Sequence, residues 1–229
     1  MSLTHSEHLK LKVGLVGSVL DRASEAFWTS PRLEELFPDY LFRLYGSVRA
    51  SVPLMRTARA RAVELAPGCP VARALVPYLD DHIEEELGHD EWLLDDMEAL
   101  GFERADVVGR PASPDVAEMV GTYYYWVLHG HPVALLSYFS VVEGNPVRTD
   151  TLDRVAATTS IPREALRCIY RHAELDPHHS EEVDRLIDHL PLTAEQAALL
   201  ETSALTVVEQ LSLILRDLVR PRSVALPVH

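Results

Sequence analysis

Cysteine is scarce in this chain of 229 residues. There are two, Cys69 and Cys168, far apart and outside any CxxC pair. That excludes a thiolate zinc site and a disulfide framework, and it fits two reduced, buried thiols in a cytoplasmic protein. Positive charge is also short: 21 Lys and Arg stand against 35 Asp and Glu, for a net charge of -14. Such a surface repels polyphosphate and anionic headgroups, so neither nucleic acid nor a membrane is expected as a partner. Asn-Gly and Asp-Gly pairs are absent, and no run shows sustained alternation of apolar and polar residues. β-Hairpins are therefore not expected. An uninterrupted apolar span is missing too. Met119 to Val142 is free of Asp, Glu, Lys and Arg over 24 residues, but His129-Gly130-His131-Pro132 divides it. Each half is too short for a hydrocarbon core of about 30 Å. Two helices buried on most sides fit better. Near the N-terminus, Val13 to Leu20 is short, lacks a small-residue cleavage pattern and meets Asp21 at once. It reads as part of an amphipathic helix rather than a signal peptide.

What is present reads as helix. Hydrophobic residues make up 47% of the chain and charged residues 24%, enough for a sizeable core. The pattern predicts an all-α, single-domain bundle over 1–229, of about seven to eight helices, with a loose tail after about residue 220. The first helix covers 5–28. A second runs to about 65, bent near Pro38 and Pro53. A third covers 70–100 and stops at Gly101, and 102–112 form a loop. Ser113 caps a fourth, with Pro114 at its first position. His131-Pro132 opens a fifth, ending at Gly144-Asn145-Pro146. A short helix spans 149–158. A long one covers 162–190 and is interrupted at Pro177. The last spans 193–219, where Thr193 and Gln196 form a capping box.

Three segments carry chemistry. The run His82-Ile83-Glu84-Glu85-Glu86-Leu87-Gly88-His89 holds an ExxH pair. Three residues advance a helix by about 300°, so Glu86 and His89 lie close on one face. His82 and Glu85 share that face as outer supports or as an additional ligand. Acidic surface helices often produce the same motif. In His172-Ala173-Glu174-Leu175-Asp176-Pro177-His178-His179, the offsets of 4 and 7 put His172, Asp176 and His179 within about 60° of arc. The alternative is a solvated polar face. Pro177 removes a backbone donor and should kink and soften this helix between Asp176 and His179. Glu143 closes the uncharged run. A carboxylate beside so apolar a helix is costly to bury unless paired or metal-bound. It otherwise lies at the helix end and reaches solvent. Together these segments supply three His and three carboxylates. Zinc takes fewer carboxylates, calcium takes no imidazole, and the mixture suits non-heme iron or manganese. Six ligands suit two ions better than one.

The order E-x-x-H, then E, then H-x-x-x-D-x-x-H resembles the heme-oxygenase-like di-iron oxidases, helical proteins related in fold to heme oxygenase and to the TenA and PqqC families. The resemblance covers about Leu75 to Leu190. It implies Glu86, His89, Glu143, His172, Asp176 and His179 as ligands of two iron ions, with manganese or another divalent metal able to take the same positions. It also implies an O2-dependent oxidoreductase acting on a small amino-acid-, amine- or fatty-acid-like molecule, and it allows a homodimer. Aromatic and basic residues near these segments are candidates for the substrate pocket: Tyr124, Tyr138, Phe139 and Arg49. Arg56, Arg167 and Arg171 are further candidates to hold a carboxylate, with surface salt bridges as the alternative. Other readings stay open. A TenA-like hydrolase or PqqC-like cofactorless oxidase is one; the hydrolase needs a nucleophilic Cys outside these segments. A heme protein with one axial His and a non-catalytic metal-binding module are the others.

Overall fold

The computed structural model describes residues 3–221, so most of the tail expected to be loose lies outside the described residues. Every regular element described is helical: α1 (His5–Trp28), α2 (Leu33–Leu65), α3 (Pro70–Glu86), α4 (His89–Ala99), α5 (Arg104–Gly109), α6 (Pro114–His129), α7 (Ala134–Val142), α8 (Thr149–Thr158), a 3-10 turn at Arg163–Leu166, α9 (Arg167–His189) and α10 (Ala194–Val219).

Local chemistry sets most of these boundaries. The Thr193 hydroxyl accepts from the Gln196 N–H while the Gln196 side chain accepts from the Thr193 N–H, closing the expected capping box. Thr4 and Glu7 do the same for α1. Pro114 opens α6 as expected, although the Ser113 side chain makes no capping bond. Three boundaries differ from the sequence reading. The third helix is broken, because Leu87 is extended and Gly88 adopts a left-handed φ of 85°. A glycine takes that conformation without the clash a Cβ would bring. The loop at 102–112 contains the short α5. Finally, α9 continues through Pro177 as one helix rather than being interrupted there.

Helix α1 packs along α10, α2 along α3, α4 and α6, and α7 against α9 and α10. Among the described residues, α10 alone is long and apolar enough to cross a membrane by length and composition; its buried face includes Ser203 and Ser212. The interior forms two apolar clusters. One gathers Met55, Leu75, Leu79, Met119, Tyr123 and Leu135. The other gathers Phe27, Phe37, Leu41, Leu93, Met97 and Leu166. Burying one such side chain contributes roughly 1.5–3 kcal/mol. The polar residues singled out above lie where the two clusters meet. On one side the His82 ring stacks on Tyr78 and meets Phe139 at a tilt, both belonging to or packed on the first cluster. On the other the His89 ring stacks on Trp92, which packs against the second.

Candidate metal centre

Four elements converge on this junction. The end of α3 supplies His82, Glu85 and Glu86, the start of α4 supplies His89, the residue closing α7 is Glu143, and α9 supplies His172, Asp176 and His179. Because of the turn at Gly88, Glu86 and His89 come from two helix ends rather than one helix face, yet His89 Nδ1 lies 3.1 Å from Glu86 Oε2. Glu143 does not reach solvent; it is 8% exposed. The chain leaves α7 through Gly144, where a Cβ would stand 2.3 Å from the Ser140 carbonyl oxygen.

The ligand-capable atoms separate into two groups, each within 4.8 Å: Glu86, His89 and His172, and His82, Glu143 and His179. Glu86 links them, since its Oε1 is 4.0 Å from His179 Nδ1. The His89 and His172 ring centroids are 5.0 Å apart, and those of His82 and His179 5.3 Å. His82 therefore stands among the six residues expected as ligands, with its Nε2 3.2 Å from Glu143 Oε1. Glu85 sits at the edge, 3.5 Å from His82 and 3.7 Å from His179, with its side chain 40% exposed. Asp176 is 5% exposed.

The electrostatics are those of an unsatisfied anionic site. Burial pushes the Asp176 carboxyl up to about 8, with Glu143 and Glu86 adding repulsion. Burial also raises Glu143 despite His82 beside it. Burial works against ionised Glu86, but the His89 hydrogen bond and the neighbouring imidazoles outweigh it and lower its pKa. His82 is raised, since Glu143, Glu86 and Glu85 outweigh the effect of burial, while burial lowers His172 and His179. Four buried atoms here make no well-aligned hydrogen bond: His82 Nε2, whose near neighbour is Glu143 Oε1, and Glu143 Oε2, Asp176 Oδ1 and His179 Nδ1. A cluster of orphaned imidazole nitrogens and carboxylate oxygens is costly unless a cation completes it. His172 is also oriented for this. Its Nδ1 donates to the Cys168 carbonyl oxygen at 3.0 Å, leaving Nε2 as the lone-pair nitrogen. The residues present fit a pair of divalent ions with mixed imidazole and carboxylate ligands.

A cavity of about 630 Å³ opens beside this cluster and is lined by His82, Glu86, Glu143, His172 and Asp176 at its inner end. Tyr138 and Phe139 line it as well. Tyr124 does not; it packs on the first apolar cluster. Arg49 does not either, because the lining stripe of α2 is Tyr40, Arg43, Leu44, Ser47, Val48, Ser51 and Met55. At about 100° per residue Arg49 falls off that stripe and lies over the Tyr45 ring instead. On α2 the arginine that lines the cavity is Arg43. Arg167 is engaged by Asp95 and Asp96, and Arg171 covers Trp92.

Two contacts escaped the sequence reading. The Cys168 sulfur lies 3.4 Å from His172 Nδ1, and the Trp92 ring centroid is 3.9 Å from that of His89. Their signals were the i−4 and i+3 spacings to a candidate ligand. Cys168 is fully buried, and desolvation pushes its thiol well above the usual range, which disfavours a nucleophilic role.

A helical bundle with two adjoining imidazole–carboxylate groups defines the class. Its fold is heme oxygenase-like. A domain of unknown function with a heme oxygenase-like fold from Shewanella denitrificans is similar at a TM-score of 0.73, with 20% identity over 90% of each chain. A TenA homolog from Pseudomonas syringae pv. tomato is similar at 0.70, with 12% identity over 92% of this chain and 90% of that one. No curated protein matches the sequence. Residues 53–209 match the family described as iron-containing redox enzymes, and the chain belongs to that family.

Proposed function

We propose that this iron-containing redox enzyme is an O2-dependent oxidase or oxygenase with two iron ions, one held by Glu86, His89 and His172 and the other by His82, Glu143 and His179. Asp176 stands in neither group but feels the charge of a carboxylate from each, Glu143 and Glu86, and is the further ligand available to the pair; Glu86 is the shared carboxylate. The reading goes one residue beyond the resemblance, since His82 becomes a ligand rather than an outer support. The observation that carries it is the set of four buried ligand atoms in one junction that make no well-aligned hydrogen bond. Bound ferrous ions would supply the electrons that activate O2. Manganese could occupy the same ligands. The remaining work falls to the chain: Tyr138, Phe139 and Met119 give the cavity an apolar wall that keeps water away, and Tyr78 and Trp92 hold the His82 and His89 rings. The substrate is a small molecule that fits a cavity of about 630 Å³, within the roughly 300–1,000 Å³ usual for ligand sites.

Anaerobic loading with Fe(II), followed by mixing with O2, tests the proposal. Two irons per chain and a transient visible absorption are expected. Less than one iron per chain with no spectral change would sink it. His172→Ala should remove the first ion and His82→Ala the second; unchanged stoichiometry in both would refute the ligand assignment. The likeness to a TenA homolog favours a second reading, a cofactor-metabolism protein that needs no iron. Turnover surviving full chelation would select it.

A further inference from the structure

The lining of the cavity beside the metal centre ranges from buried to exposed, and its exposed part carries charges of both signs. Asp21 and Glu25 line it from α1, one turn apart, and Arg154 lines it from α8. All three are exposed. The other cations of the lining are engaged: Arg43 is paired with Asp115 and Asp217, and Arg148 with Asp150. Asp21, Glu25 and Arg154 have no ion-pair partner among the described residues. Among the described residues, Arg154 makes its polar contact with the Trp28 carbonyl oxygen at 3.4 Å, at the C-terminal end of α1. Between this mouth and the metal end, the wall is largely apolar, with Val48, Met55, Phe139, Ile169 and Ile214 among its members.

An aliphatic acid alone would answer Arg154 and face two carboxylates. A simple amine would answer the carboxylates and leave the guanidinium exposed. A head with both an ammonium and a carboxylate satisfies all three, at the cost of few ordered groups, and the apolar walls accept its chain. We propose that the substrate is a zwitterionic amphiphile. Its head is held at the mouth by Asp21, Glu25 and Arg154, and its apolar chain points toward Glu86 and Glu143. The site of oxidation then lies on the chain, remote from the head. This rests on the proposed function for what happens at the metal end, but binding of the head does not need the metal.

The test uses the metal-free protein and three probes of one chain length: α-aminolauric acid, lauric acid and laurylamine, compared by isothermal titration calorimetry. The zwitterion should bind at least tenfold more tightly than either of the others. The double variant Asp21→Asn, Glu25→Gln should erase its advantage over lauric acid, and Arg154→Gln its advantage over laurylamine. Exposed positions such as these carry little folding cost. Equal affinity for the three probes, no binding of any, or a preference that survives both variants would overturn the proposal. A preference for the zwitterion in a protein that never takes up iron would uphold it while defeating the di-iron reading.

Discussion

Asp176→Asn separates a metal ligand from a structural carboxylate, because the two roles predict opposite signs. In the metal-free fold the Asp176 carboxyl is pushed from 3.8 to about 8, chiefly by burial and then by Glu143 and Glu86. At about 1.36 kcal/mol per pH unit, that span amounts to on the order of 5 kcal/mol against the ionised, folded form. The sign follows from proton counting. Below about pH 4 both folded and unfolded chains hold the proton, and the penalty is absent. Between pH 4 and 8 the folded chain holds more protons than the unfolded one, so stability falls as pH rises. Above pH 8 the full penalty applies. Asparagine removes the charge at nearly constant volume. In urea unfolding with a chelator present, the variant should be more stable than the parent. Its advantage should be larger at pH 8.5 than at pH 6, by on the order of 2 kcal/mol. With Fe(II) the order reverses, because the parent gains binding energy that the variant loses. A variant destabilised equally at both pH values without metal would show that Asp176 is a structural hydrogen-bonding residue and would refute the reasoning.

Other outcomes follow from the same geometry. Gly88→Ala places a Cβ at φ 85°, which should cost about 1–2 kcal/mol. It should also weaken iron binding, since that turn brings Glu86 to His89; unchanged metal affinity would mean the turn is dispensable. A divalent ion at about 100 times its dissociation constant should add about 2.7 kcal/mol. For a chain of this size that raises the melting temperature by roughly 5–10 °C, and scanning calorimetry with and without Fe(II) or Mn(II) reads it directly. Phe37 is fully buried, so Phe37→Ala should lose about 3–5 kcal/mol in denaturant unfolding while iron stoichiometry stays the same. A parallel loss of iron would tie the metal centre to global packing.

What the sequence determined by itself is chiefly what happens within one element. Helical spacing was enough to place His172, Asp176 and His179 on one stripe of α9, and the capping chemistry of Thr193 with Gln196 marked the start of α10. The apolar run before Glu143 was enough to suggest a carboxylate held out of water. These are local signals, because periodicity and caps act over a few residues. The tertiary structure decided everything that depends on two elements meeting. Gly88 inside a helical pattern reads as a tolerated glycine; only packing of α3 and α4 in different directions makes it a left-handed turn. His82 became a full member of the cluster because α7 delivers Glu143 to it. Arg43 rather than Arg49 faces the cavity because of how α2 is rotated against α10 and α6. Asp21 and Arg154, far apart in the chain, line one cavity because α1 and α8 both border it. Side-chain periodicity states which residues share a face, but which faces meet is settled by long-range burial of apolar surface, and no local window contains that information.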